Sequence, residues 1–313
     1  MKTNLKGQLA AASSNFKSFR THLVVLFFSF FLWSSVGWCQ TTYYSKAVAT
    51  DFNATASWGT ATDGSGTSPA SISNADNFII QNGSILSLTG DLSVRTLTIN
   101  SGKLLVASNT ITISIAAQNN SELNVTNGGI LEVTGGTVQI NGAAYFADGS
   151  SLIQSGGLIK LNPNSGTATT SIGGVSSTAV TFGIGYAAGS TSSTISSAAN
   201  VAKFQLTGGT LQIVDPVLST STTCYSIAFR APSSSGHLAF GAGHTVKYGD
   251  GVSTLGAGST NGFYNYYYVS TAYLTVGNMI CELGSVGTNR FLNFTSSIGV
   301  LGDLTIVSGE MRT

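Results

Sequence analysis

Leu97-Thr98-Ile99-Asn100-Ser101-Gly102, Leu123-Asn124-Val125-Thr126-Asn127-Gly128-Gly129, Leu131-Glu132-Val133-Thr134-Gly135-Gly136 and Val138-Gln139-Ile140-Asn141-Gly142 share one grammar. An apolar-polar-apolar triplet is followed by Asn, Thr or Ser and then by Gly, and the unit returns downstream as Phe204-Gln205-Leu206-Thr207-Gly208-Gly209. Between Phe78 and Leu161 other triplets continue the ladder: Ile85-Leu86-Ser87-Leu88, Leu92-Ser93-Val94, Leu104-Leu105-Val106, Ile111-Thr112-Ile113, Leu152-Ile153-Gln154 and Leu158-Ile159-Lys160. In–out–in alternation is the signal of a half-buried strand. Strands this short fall below the usual length of about 5–6 residues, but they suffice when each stacks on its equivalent in the next coil. The pattern predicts an all-β fold, a parallel β-solenoid (β-helix) with short strands and a repeat of roughly 20 residues. Frequent corners call for left-handed backbone, which Gly adopts freely and Asn with little cost. Asn100, Asn127 and Asn141 stand at like corners and are candidates for a hydrogen-bonded Asn ladder.

Composition agrees with this reading. Charged residues are 8% of the 313, against about 25% in an ordinary soluble domain, so amphipathic helices have too few polar-face residues to form. Gly numbers 38 and Pro 4, which suits tight β corners and excludes collagen-like or Pro-rich sequence. The hydrophobic fraction of 42% provides a core and argues against disorder. Of the 13 basic residues, Lys2, Lys6, Lys17 and Arg20 precede Leu23, whereas all 12 acidic residues follow Gln40. Without the leader, 9 basic residues face 12 acidic ones. No basic patch survives to hold a nucleic acid.

Residues 1–39 read as a secretory signal peptide: a basic start, the apolar run Leu23–Leu32, then Gly37 and Cys39 before a cleavage point at Gln40. The apolar run is shorter than the roughly 20 residues of a membrane-spanning helix, so no span is expected after cleavage. Residues 40–77 form an N-terminal cap, in which Trp58 plugs the open apolar edge. Residues 78–161 are the regular solenoid. Residues 162–200 are a low-complexity insertion that loops out, with Val180-Thr181-Phe182 as an extra strand. Residues 201–313 continue the solenoid less regularly. Gly302-Asp303-Leu304-Thr305-Ile306 echoes Gly90-Asp91-Leu92-Ser93-Val94, and the sequence stops at Thr313 within this repeat; the expectation is a fragment, truncated at its C-terminus, of a longer protein.

The opening Trp58, Pro69 and Asp76-Asn77-Phe78-Ile79-Ile80-Gln81-Asn82-Gly83, followed by Gly/Thr/Ser-rich repeats, resembles the secreted β-solenoid proteins of Gram-negative bacteria, notably adhesin-like cargo of the type IX secretion route. The likeness covers residues 50–160 best. It implies a secreted or outer-cell-surface location and a partner among glycans or other cell-surface polymers. The C-terminal sorting domain of such cargo is not present in these residues.

Chemistry-bearing constellations are sparse. No two acidic residues lie closer than the seven positions between Asp303 and Glu310. Coil stacking brings Asp76 towards Asp91, or Glu132 towards Asp148, as the nearest approach to the carboxylate pair that a polysaccharide-active β-helix enzyme requires. His237 and His244 are seven apart, which alternation assigns to opposite faces, and no metal-ligand motif or cofactor fingerprint accompanies them. No metal and no cofactor are therefore expected. Phe263, Tyr264, Tyr266, Tyr267, Tyr268 and Tyr273 form the densest aromatic tract. Tyr and Phe faces stack on sugar rings, and they also pair with one another within sheets. Thr96-Leu97-Thr98 and Thr110-Ile111-Thr112 carry the Thr-x-Thr spacing of ice-binding faces, although Thr is also simply a good outward strand residue. After cleavage the cysteines are Cys224 and Cys281, which either pair as a disulfide or lie as two buried small side chains. The function expected is non-catalytic: adhesin, matrix component or rigid spacer. The alternative is a polysaccharide-active β-helix enzyme, or the stalk of one whose catalytic module lies beyond residue 313.

Overall fold

The computed structural model describes residues 40–114, 121–147, 149–162, 179–184, 203–215, 224–230, 238–252, 263–268, 274–284, 291–294 and 297–312. The signal-peptide segment, residues 1–39, lies outside them. Apart from one 3-10 turn at Thr55–Ser57, the described residues form strands, turns and bends, so the fold is all-β. Among them no helix is long and apolar enough to cross a membrane.

Triplets become strands because their alternation has one face to bury. In Thr96–Asn100, Leu97 and Ile99 are buried while Thr96, Thr98 and Asn100 are partly exposed. Lys103–Val106, Thr110–Ile113, Ile130–Val133 and Thr137–Ile140 repeat that pattern. Each strand pairs with its equivalent one repeat later, in parallel. Leu97 is level with Leu123, Leu104 with Leu131, and Ile111 with Val138. Buried aliphatics thus sit on buried aliphatics, and outward Thr110 and Thr112 sit level with Thr137 and Gln139.

Two eleven-stranded sheets result among the described residues. The first runs Trp58–Gly59, Thr42–Ser45, Asn77–Ile80, Thr96–Asn100, Ser121–Thr126, Ala143–Phe146, then Ala179–Ile184 and on to Glu310–Arg312. All its pairs are parallel except the outermost, Trp58–Gly59 against Thr42–Ser45. The second begins as two separate paths, one through Ile85–Ser87, Lys103–Val106 and Ile130–Val133, the other through Leu92–Val94, Thr110–Ile113 and Thr137–Ile140. The paths merge in Ser151–Leu161, an eleven-residue strand that pairs with both. Here the expectation of separate triplets is corrected: Leu152-Ile153-Gln154 and Leu158-Ile159-Lys160 belong to one strand, carried through Gly156 and Gly157. The arrangement is compatible with the expected β-solenoid.

The repeat is near 20 residues only in part. Phe78 to Leu97 is 19 residues, Leu97 to Leu123 is 26, and Leu123 to Ala144 is 21. Ala144 to Phe182 is then 38, and Phe182 to Ile227 is 45. Within the segment expected to loop out, Ala179–Ile184 is a full member of the first sheet, and Phe182 is buried against Phe146 and Phe204. The extra strand expected at Val180-Thr181-Phe182 is this one.

One edge of the stack is sealed by the N-terminal segment. Trp58 is fully buried, its Nε1 donates to Phe52 O at 2.9 Å, and its ring packs edge-on against Phe52 and Phe78 with centroids 4.7 and 4.8 Å away. The side chain therefore closes the core rather than offering a platform. At the opposite edge Leu304–Ser308 borders the second sheet, with Leu304, Ile306 and Val307 each at least half exposed.

Candidate functional site

A groove opens where the N-terminal segment meets the strand pair Leu92–Val94 and Thr110–Ile113. The wall is stapled in place by backbone and side chain together. Phe52 N donates to Ser87 O and Ser87 N to Thr50 O, both at 2.9 Å. Asn53 Nδ2 donates to Gly90 O at 3.1 Å, and its Oδ1 accepts from Thr89 N at 3.0 Å. Thr89 Oγ1 donates to Asp51 Oδ1 at 3.0 Å. Asn53, Thr55 and the stretch Ala70-Ser71-Ile72 form this side of a cavity of about 790 Å³. The other side is Asp91, Leu92, Ser93, Thr110 and Thr112. Alternation explains that composition: Val94, Ile111 and Ile113 point into the core, so the neighbouring hydroxyls face out. Asp91 is oriented by Thr110 N, which donates to its Oδ1 at 2.6 Å.

The groove is therefore a polar, preorganised surface with two apolar patches, Ile72 and Leu92, both packed against the core. Its lining holds one carboxylate and no basic residue. Sequence reading placed Asp91 in a carboxylate pair and Thr110 and Thr112 in a Thr-x-Thr face, and it missed that both border one cavity. The local signal was Gly90-Asp91, a corner that puts a carboxylate at the start of a strand. The opposing wall comes from residues about 20–40 positions away, which no local motif announces.

The expected pair of Asp76 with Asp91 does not form. Asp76 accepts from Ser73 Oγ at 2.9 Å and from Thr41 N at 3.3 Å, whereas Asp91 is tied to Thr110. Glu132 forms an ion pair with Lys103 one repeat earlier, and Asp148 lies outside the described residues. Lys247 and Glu282 repeat that diagonal pairing at 2.5 Å. In both cases register sets the carboxylate two residues beyond the lysine's own partner, on the same face. Thr96–Thr98 and Thr110–Thr112 stand in different sheets, so they do not build one array. Asn127 Nδ2 donates to Asn100 Oδ1 at 2.8 Å, one step of the expected Asn ladder. Asn141 departs from it, accepting from Gln139 Nε2 at 3.1 Å.

Phe263–Tyr268 is a strand of the first sheet, between Cys224–Arg230 and Phe291–Phe294. By register Phe263 is level with buried Leu292, and Asn265 with buried Ile227 and Phe294. The side chains of Phe263, Tyr264, Tyr266, Tyr267 and Tyr268 lie outside the described residues. Tyr273 lies outside the described residues, as does His237.

Buried polar groups are the other feature that the sequence did not disclose. Glu122 is fully buried at an irregularity of the first sheet, where Ser121 and Leu123 pair with Ala143 and Ala144 and Glu122 is the extra residue. Its Oε2 accepts from Ala143 N at 2.6 Å and its Oε1 has no partner. Burial pushes its pKa up to about 8. His244 is fully buried 3.1 Å from Gln154 Oε1 through Nε2, with Nδ1 unpartnered, and burial pulls its pKa down to about 4. Gln154 Nε2 in turn donates to Thr210 O at 3.0 Å. His244 is thus part of an internal polar bridge between rungs. Among the described residues no three His, Cys, Asp or Glu side chains converge as metal ligands would.

Cys281 is a buried free thiol in the second sheet, its Sγ donating to Ser308 O at 3.7 Å, with burial raising its pKa to about 11. Cys224 begins a strand of the first sheet, and its side chain lies outside the described residues.

Comparison with known proteins finds no matching family model, no matching curated protein and no matching solved structure.

Proposed function

We propose that the chain is a parallel β-solenoid, exported to the surface of a Gram-negative cell or released from it, which works without catalysis as an adhesin, matrix component or rigid spacer. One observation carries this reading: inward apolar positions stay in register from rung to rung. Leu86, Leu104, Leu131, Leu152 and Phe204 form one such row. Ile111, Val138, Ile159, Leu211, Val246 and Met279 form another. Backbone hydrogen bonds then run along the stack, and bending it would break many at once. Eleven strands at a spacing of about 4.8 Å give a length of about 48 Å for the first sheet. A surface of hydroxyls and amides with few charges suits contact with glycans and other neutral polymers.

Support for a non-catalytic role comes from Asp76, Asp91, Glu132 and Glu282, each bound to a backbone amide, a hydroxyl or a lysine. The test is solution scattering on residues 40–313 together with a reducing-end assay on a polysaccharide panel. An elongated particle with no release of reducing ends is expected. A globular scattering profile would overturn the rod, and turnover would overturn the non-catalytic role.

A further inference from the structure

We infer that the groove between the N-terminal segment and the Leu92–Val94/Thr110–Ile113 face is a binding site for neutral polysaccharide. This rests on the reading of the chain as a surface rod that contacts glycans, and it moves the contact from the aromatic tract to the rod's capped edge.

Three properties of the groove select the ligand. The first is size: about 790 Å³ lies within the roughly 300–1,000 Å³ of small-molecule sites, so the groove takes more than one sugar ring. The second is chemistry. Thr55, Ser71, Ser93, Thr110 and Thr112 line it with hydroxyls that both donate and accept, matching the hydroxyls of a sugar. Ile72 and Leu92 supply apolar surface for the C–H faces of the rings, and Asp91, held by Thr110 N through Oδ1, keeps Oδ2 for ligand hydroxyls. The third is charge. With one carboxylate and no lysine or arginine in the lining, a uronate, sulfate or phosphate would meet repulsion and no counter-charge. Neutral sugars carry no such cost.

The groove also continues. Ser93 is level with Thr112, and Thr112 with Gln139, so its floor opens onto an outward hydroxyl and an outward amide on the next two rungs, before the column reaches Lys160. A polymer chain can therefore leave the groove along the stack, whereas a monosaccharide would use only part of it. Preorganisation favours binding, because Asn53 and Asp91 are already fixed by backbone partners and little ordering remains to be done.

The experiment is calorimetric titration of residues 40–313 with laminarin, mannan and xyloglucan as neutral probes and polygalacturonate and heparin as anionic ones. It compares the unchanged chain with Ser93→Trp, which fills the groove from an exposed position, and with Thr98→Trp, which adds the same bulk to the other sheet. Binding of at least one neutral polymer is expected, weakened by about tenfold or more in Ser93→Trp and unchanged in Thr98→Trp. The inference is overturned if no neutral polymer binds, if an anionic polymer binds more tightly, or if Ser93→Trp binds as the unchanged chain does while its circular dichroism and melting stay native. Scattering on the same samples judges the rod separately: an elongated particle that binds no sugar sinks the groove and leaves the rod standing.

Discussion

Two buried titratable side chains make stability depend on pH in opposite senses. Glu122 has a native pKa of about 8 against an ordinary 4.5, so between those values the folded chain holds a proton that the unfolded chain has lost. Its favourable contribution is complete below pH 4.5 and is lost as pH rises through 8. His244 has a native pKa of about 4 against 6.5, so the unfolded chain takes its proton first as pH falls. That contribution is intact above pH 6.5 and lost on acidification towards 4. Between pH 4.5 and 6.5 the two slopes oppose each other, and above 6.5 only Glu122 acts. Glu122→Gln keeps the acceptor for Ala143 N and removes the titration. Relative to this variant, the unchanged chain should lose on the order of a few kcal/mol between pH 6.5 and 9, read as urea midpoints; parallel curves would contradict the assignment. His244→Gln should flatten the acid limb below pH 6.5 and leave the alkaline limb alone.

At the scale of the strand and its corner, glycine is required for two separable reasons. Gly83 has φ +68° and open space where a side chain would go. Gly209 has φ +77°, and a Cβ there would lie 2.4 Å from Gly156 O on the preceding rung. Gly83→Ala should cost about 1 kcal/mol from backbone strain alone. Gly209→Ala adds a clash with backbone that cannot rotate away and should cost about 3 kcal/mol or more, measured as the difference in denaturant midpoints. Equal costs would mean that strain alone decides both positions. The Asn127-Gly128 corner and the strand Leu97-Thr98-Ile99 were legible in the sequence, because local turn chemistry and alternation specify them, whereas Gly208-Gly209 reads as a corner and is instead carried through the strand Lys203–Ile213. The merging of two paths in Ser151–Leu161 was not legible. Whether Gly156-Gly157 turns the chain or carries it through depends on the rung below, where Gly135 and Gly136 crowd it. Glu122 was equally hidden: Leu123-Asn124-Val125 reads as a strand with or without an extra residue before it. The groove shares this character, since Asn53 and Thr112 meet only once the stack exists.

Across the whole molecule the two edges of the stack differ, and that difference has a measurable consequence. At one edge Trp58–Gly59 pairs antiparallel with Thr42–Ser45, and Trp58, Phe52 and Phe78 fill the core beneath it. At the other, Leu304–Ser308 borders the second sheet with Leu304 50%, Ile306 52% and Val307 59% exposed. An edge strand paired on one side among the described residues and carrying exposed aliphatics is a template for further strands. Charge does little to oppose this, because Glu282, level with Ser308 on the edge strand, is already paired with Lys247, and a partly exposed pair of this kind contributes about 0–1 kcal/mol. Residues 40–313 prepared alone should therefore self-associate through Leu304–Ser308, with a weight-average mass that rises with concentration in sedimentation equilibrium. Ile306→Lys places a charge on the exposed strand, level with buried Cys281, and should shift the distribution towards monomer in a variant whose circular dichroism stays native. A control change in the N-terminal segment, Val48→Lys, alters an even more exposed apolar residue and should leave it unchanged. If both variants act alike, association is a general property of the apolar surface and the asymmetry of the stack has no part in it.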